Sequence, residues 1–170
     1  MIIRQEDVND YKEVYELVKS AFASAEISDG TEQDLVEALR KNKEAYIPDL
    51  SLIAEEQGEL IGHIMFTKIK IGSDVALALA PLSVKPKYQR QGVGMELIKQ
   101  GHIIAERLGY SYVVVLGSDS YYPKLGYRQA KEFSIEVPEG IPSENYMAIK
   151  LMPGAKVVSG KVVYAPEFGI

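Results

Sequence analysis

Residues 88–98 read YQRQGVGMELI, and the residue types gathered there suit the holding of an anion. Gly92 and Gly94 stand where an apolar helical stripe begins, and Gln91, Gly92 and Val93 supply no short side-chain oxygen to cap it. A helix start leaves about four N–H groups without intrahelical partners. A bound anion would take them, because the donors and the helix dipole both point at it and glycine lets phosphate oxygens approach the backbone. Groups able to move a proton are fewer. His63 has a suitable ordinary pKa, ~6.5, but strand alternation puts it on one face with Ile61, Met65 and Ile69, so it is either a general base or a core histidine. Asp119 and Ser118 follow a β-branched run, while Glu55 and Glu56 fall at a hairpin end and read as solvated. With no cysteine and only two distant histidines, a thiol nucleophile, a disulfide scaffold and a metal ligand set are all disfavoured.

The elements that must position these residues follow from periodicity. MIIRQ is a first strand, and Val8, Tyr11, Val14, Tyr15, Val18 and Phe22 recur at helical spacing after it. TEQDLVEALRKN repeats that period, with Thr31 or Asp29 as its cap. LSLIAEEQGELIGHIMFTKIKIG reads as a hairpin turning near Gln57 and Gly58, whose Lys68–Ile69–Lys70–Ile71 alternation turns one face to water. VALALAPLSVK is a further strand, and Pro81 inside it predicts a bulge or splay because proline cannot donate to a ladder. From Gly94, the residues Leu97, Ile98, Gly101, Ile104, Ala105 and Leu108 form one stripe that Gly109 stops. YSYVVVLGS is a buried strand, so strand, helix and strand make a locally parallel βαβ unit. EFSIEVPEG, YMAIKLMPG and KVVSGKVVYAP read as antiparallel strands. The sum is an α/β or α+β domain with a mixed sheet.

Two familiar phosphate loops do not fit. A P-loop ends in Gly-Lys-Ser/Thr, whereas Gly94 is followed by Met95 and Glu96. The dinucleotide fingerprint requires a third small residue where Leu97 stands. The segment LSVKPKYQRQGVGMELI instead resembles the acetyl-CoA motif of the GNAT N-acetyltransferases, with Val84, Pro86, Gln89, Gly92 and Gly94 in matching places. A later YYPKLGY and the order of elements extend the resemblance over the whole chain, and APLSVKPKYQRQGVG with GYSYVVVLGSDSYYPKLGY resembles the YhbS-type branch.

That resemblance implies a GNAT acyl-CoA acyltransferase fold, a mixed sheet splayed at the acetyl-CoA strand and flanked by helices. It implies acetyl-CoA as cosubstrate, with no metal, and a primary amine of a small molecule, protein or peptide as acceptor. The backbone of Leu82 and Val84 would pair with the pantetheine arm, and Ser83 between them would be a further cofactor contact. The N–H groups of Gln91, Gly92, Val93, Gly94 and Met95 would hold the pyrophosphate with help from Gln89 and Arg90, and Ser118 and Tyr121 would add cofactor contacts. Tyr122, four residues before Gly126 in the Y-x-x-x-G-Y element, would protonate the departing thiolate; the bland alternative is packing beside Tyr121. A phenol at ~10 and a thiol at about 8.5 make full proton transfer uphill, so a strong hydrogen bond is the more economical role. For the base, His63, Asp119 and a water relay stay open.

Composition sets the remaining bounds. At 170 residues and 46% hydrophobic content one domain over 1–170 is expected. Residues 152–170 extend beyond the shared fold, as a hairpin that covers the sheet edge or joins a second subunit; monomer and homodimer both remain. A net charge of −5 with scattered Lys and Arg lacks the footprint of a nucleic-acid binder and favours small cationic partners. No run of roughly twenty apolar residues could span a bilayer, and the first residues lack the pattern of a signal peptide, so the cytoplasm is the expected compartment. Two other functions compete: a non-catalytic acyl-CoA sensor and a nucleotide-phosphate protein using the same turn.

Overall fold

In a computed structural model, which describes residues 1–23 and 28–170, a mixed eight-stranded sheet organises the chain. The elements run β1 (Ile2–Gln5), α1 (Tyr11–Phe22), α2 (Glu32–Arg40), β2 (Tyr46–Glu56), β3 (Glu59–Ile71), β4 (Asp74–Val84), α3 (Val93–Arg107), β5 (Tyr112–Leu116), β6 (Arg128–Gln129), β7 (Tyr146–Lys150) and β8 (Val162–Val163). Along the sheet the order is β1-β2-β3-β4-β5-β7-β6, and β8 joins β3. Among the described residues β4 and β5 are the two strands that pair in parallel, across α3, as a short-turned βαβ unit requires.

Alternation sends each strand's residues to two separate cores. Leu52 and Ala54 of β2 pack with Phe66, Leu77, Val113 and Val115 under Leu97, Ile98 and Ala105 of α3. Ile53, between them, packs on the opposite face with Met65, Val14, Leu17 and Val18 of α1 and Val36 and Leu39 of α2. Val8 lies outside the α1 stripe and is exposed. The hairpin turns at Gln57 and Gly58, both at positive φ, and Lys68 and Lys70 face water between buried Ile69 and Ile71.

Three expectations need correction. Thr31 holds the N-cap position of α2, but neither its hydroxyl nor the Asp29 carboxylate caps the helix, because the N–H and hydroxyl of Thr31 both donate to Asp29. Residues 132–140 form no strand: a 3-10 turn over Ala130–Phe133 turns the chain away, leaving one isolated bridge from Ile135 to Gly160. The C-terminal extension is not a hairpin, since Val158 is drawn into the core beside Tyr112 and Tyr146 and only Val162–Val163 pairs, on β3 at Lys70 and Ile71. Beyond it the Tyr164 and Tyr146 hydroxyls meet at 2.6 Å, and a 3-10 turn, Pro166–Phe168, ends against α2.

Pro81 acts as expected. Between Ile64↔Leu82 and Phe66↔Leu79, two steps of β3 face three of β4, so the extra residue falls at Ala80–Pro81. Pairing of β4 with β5 covers only Leu77 and Ala78. Past that point the C-terminal ends of the two parallel strands part, which is where open α/β sheets bind ligands.

Candidate active site

The start of α3 presents a row of unpaired donors. Gly92 occupies its N-cap position at φ 88 with no side-chain cap, a left-handed conformation that suits glycine. The first backbone bond of the helix runs from Glu96 N to Gly92 O, and among the described residues no acceptor takes the N–H groups of Gln91, Gly92, Val93, Gly94 or Met95. Arg90, at φ 62, and Gly92 both take positive φ within three residues, a backbone that turns successive amides toward one concave side, as in an anion-binding nest. The dipole of α3 adds to the same positive potential.

Beside the nest runs the parted edge of β4. Lys85 N donates to Ile61 O, so by alternation Ser83 also faces β3 while the backbone groups of Leu82 and Val84 point toward the gap. Gln89 Nε2 reaches Val84 O at 3.0 Å. A cavity of about 500 Å3 joins the two features, with Leu82, Val84 and Gln89 on one side and Arg90, Gly92, Val93, Gly94 and Met95 on the other. Tyr121 closes it: a Cβ at Gly94 would stand 2.6 Å from the Tyr121 hydroxyl, so glycine is needed there for the close approach. The charged side chains of this cavity are Arg90 and Lys124. A diphosphate with an amide-bearing arm fits such a lining, amides and cations for the anion and a free strand edge for the arm.

A second cavity, of about 890 Å3, lies across Leu82 from the first. Its walls come from the start of α2, the bulge at Ala80 and Pro81, the end of β5, Tyr122, and Glu167 and Phe168 of the C-terminal turn. Tyr122 is 8% exposed, packs edge-on against Tyr121 and Tyr127 at 5.1 and 5.5 Å, and lends its hydroxyl to no hydrogen bond among the described residues. Burial pushes that phenol well above its ordinary range, and the Tyr121 ring adds to the effect.

Comparison with known proteins decides the family. Residues 48–129 match the acetyltransferase (GNAT) domain. Over 144 residues the chain is 35% identical to the uncharacterized N-acetyltransferase YjhQ of Escherichia coli (strain K12), covering 82% of this chain and 76% of that protein. The chain belongs to the GNAT N-acetyltransferases. Among solved structures, a GNAT family acetyltransferase from Brucella melitensis in complex with acetyl-CoA superposes with a TM-score of 0.81 at 31% identity, over 98% of this chain and 97% of that one. YhbS from Escherichia coli, in complex with CoA, gives a TM-score of 0.86 at 27% identity over 99% and 92%. The splayed mixed sheet is thus the GNAT fold.

Within this GNAT frame three of the sequence-predicted contact residues lie away from the cavities. Ser83 is turned to the opposite face of β4, 2% exposed with its hydroxyl unpartnered. Gln91 sends its side chain to Lys87 O at 3.0 Å and contributes only its N–H. The Ser118 hydroxyl binds that of Ser120 at 2.8 Å in an exposed turn. The candidate bases fare likewise. His63 is fully buried, its Nε2 3.2 Å from Ser51 Oγ and 3.4 Å from the Glu6 carboxylate. It shares a face with Met65 but not Ile61, because Ile61 is the extra residue of a bulge between the pairs Ala54↔Gly62 and Glu55↔Leu60. Burial alone would raise the Glu6 carboxyl, yet His63, Arg40 and Ser51 together hold it well below the carboxylate range. His63 is therefore a core histidine of a polar network tying β1, α2, β2 and β3. Asp119 is exposed and lines neither cavity, and Glu55 and Glu56 pair with Arg4 and the N-terminal amine.

Sequence reasoning passed over Tyr88 and Lys124 in the first cavity and Asp29, Glu32, Glu167 and Phe168 in the second. Lys124 sits inside the YYPKLGY element, two residues from Tyr122, so its charge was a readable signal. Among the described residues no group of three His, Asp or Glu is placed to hold a metal, and no helix is long and apolar enough to cross a membrane.

Proposed function

We propose that this GNAT protein transfers the acetyl group of acetyl-CoA directly to a primary amine. One observation carries the reading: two cavities meet at Leu82, one lined by unpaired amides and cations, the other by Tyr122. The first suits the diphosphate and pantetheine arm of acetyl-CoA, the molecule bound in the Brucella relative. Backbone N–H groups from Gln91 to Met95, with Arg90 and Lys124, hold the diphosphate, and the parted edge at Leu82 and Val84, where Gln89 already meets Val84 O, pairs with the arm. Acetyl-CoA supplies the acyl group as a thioester.

The chain's own groups then have three tasks. A β4 amide turned into the gap, at Leu82 or Val84, donates to the carbonyl oxygen as negative charge develops there. The amine nitrogen bonds to the carbonyl carbon, the C–S bond breaks, and the proton shed by the amine leaves through solvent in the second cavity. The Tyr122 hydroxyl points its donor at the departing sulfur. Because its pKa is raised by burial, Tyr122 stays protonated throughout the working range, and it acts by a hydrogen bond that strengthens as the thiolate forms. A second cavity large enough for an acceptor favours an enzyme over a domain that only senses acyl-CoA. Thiol release from acetyl-CoA over a panel of amines, amino acids and short peptides tests the reading. Acceptor-dependent release supports it; acetyl-CoA binding with no release in any class would turn it toward a sensor.

A further inference from the structure

The charges of the two cavities are segregated. Among the described residues the first contains Arg90 and Lys124 and no carboxylate. Among the described residues the second contains Asp29, Glu32 and Glu167 and no lysine, arginine or histidine. The three carboxylates come from two elements distant in sequence, the approach to α2 and the C-terminal turn Pro166–Phe168.

Each carboxylate is fixed on one oxygen and open on the other. Asp29 Oδ1 accepts from the N–H and hydroxyl of Thr31 at 2.9 and 2.6 Å. Glu32 Oε1 accepts from the Ser28 hydroxyl at 2.8 Å, and Glu167 Oε1 from Asn42 Nδ2 at 2.8 Å. No partner takes the remaining oxygens among the described residues. A second mark of a ligand lies in the same cavity: Tyr122, 8% exposed and with no partner for its hydroxyl among the described residues, lines it together with Phe22, Leu35 and Phe168. Three anions across an apolar floor stabilise a molecule that carries positive charge away from the reacting nitrogen, which itself must be neutral to attack.

We propose that Glu167 of the C-terminal extension, with Asp29 and Glu32, selects as acceptor a small aliphatic amine bearing at least one further cationic nitrogen. The inference rests on the acetyltransferase reading and adds the substrate class and a specificity-determining residue. The extension does two jobs in this chain: β8 covers β3, and the turn that follows completes the acceptor wall.

Calorimetry of spermidine and of 1-aminobutane against the CoA-saturated protein tests it, beside two variants with the same change in charge. Glu167→Gln keeps an oxygen for Asn42 and removes the charge from the cavity, whereas Glu106→Gln removes one from the exposed face of α3. Spermidine is expected to bind the parent protein at least tenfold more tightly than 1-aminobutane, to lose about three- to tenfold in Glu167→Gln, and to be unchanged in Glu106→Gln. Raising the salt to 0.5 M should shrink the Glu167 effect. Equal binding of the two amines, or equal losses in the two variants, would overturn the proposal while leaving the acetyltransferase reading intact. Failure of the protein to bind CoA at all would instead remove the reading beneath it. Tighter binding of a lysine-rich peptide than of spermidine would also contradict a small acceptor.

Discussion

Tyr121 and Tyr122 are adjacent in sequence yet line different cavities. Their rings stand 5.1 Å apart at 85°, Tyr121 closing the amide-lined cavity against Gly94 and Tyr122 facing the carboxylate-lined one. The short 3-10 turn Tyr122–Leu125, reached from the parted end of β5 through residues 117–121, accomplishes this split. On the proposed function, cofactor and acceptor chemistry would be joined through one dipeptide, and substitutions on either side should separate in their effects.

Gly94→Ala places a methyl against the end of the Tyr121 side chain, which can swing, so the fold should lose less than about 1 kcal/mol while acetyl-CoA affinity falls by roughly tenfold. Adding Tyr121→Phe removes the atom in conflict and should recover a measurable part of that affinity. Titration calorimetry on the two single variants and the double completes the cycle. Strictly additive losses would show that the Gly94–Tyr121 approach is irrelevant to binding.

Arg90 combines a positive φ with a charge in the cofactor cavity. Arg90→Gly preserves the backbone conformation and removes only the charge. Acetyl-CoA affinity should drop by about three- to tenfold at low salt, and the difference from the parent should narrow at 0.5 M salt. A loss independent of salt would mean that the side chain acts by packing.

The glycine turn, the β4 bulge and the two-faced alternation of β2 and β3 were legible because each is decided within a few residues. Pro81 disrupts whichever ladder it enters, and a helix start with no capping oxygen announces its free amides. What escaped depends on residues far apart in the chain. Glu6, Arg40, Ser51 and His63 become partners only when β1, α2, β2 and β3 meet, so His63 read equally well as a base or as core. One extra residue at Ile61 reverses the face of everything before it, and the local signal in LIGHIM, a glycine within a strand, does not say which neighbour bulges. Glu167 was not legible as a site residue because the route of the extension is set by the burial of Val158, Val162 and Ala165, not by local turn preference.

That route also predicts the fate of a shortened chain. Cutting after Gly154 removes three buried side chains and uncovers Ile71, Tyr112 and Tyr146. At ~1.5 to 3 kcal/mol per large apolar side chain, the loss is a sizeable share of a typical domain's stability, and Tm should fall by more than about 10 °C. Calorimetric melting of the truncated protein checks this; an unchanged Tm would mean that the extension is an appendage.

His102 gives the stability a pH dependence. It sits on α3 with Nε2 2.8 Å from the Tyr127 hydroxyl, and burial lowers its pKa from 6.5 to about 4. Between those values the unfolded chain binds a proton that the folded one does not, so stability falls as the pH drops from 6.5 toward 4, by on the order of 2 kcal/mol. Urea midpoints at pH 7 and pH 5 should differ in the parent protein and converge in His102→Gln. An equal difference in both would assign the effect to other groups.

The central claim is that Tyr122 assists departure of the thiolate and contributes nothing to holding the cofactor. Single-turnover thiol release from acetyl-CoA with spermidine, run beside calorimetric affinity for acetyl-CoA, tests it in Tyr122→Phe. The account predicts a rate lowered by about 10²-fold, with affinity within about twofold and a melting temperature close to that of the parent, since the hydroxyl has no bonded partner to lose. Full release by the variant would contradict it.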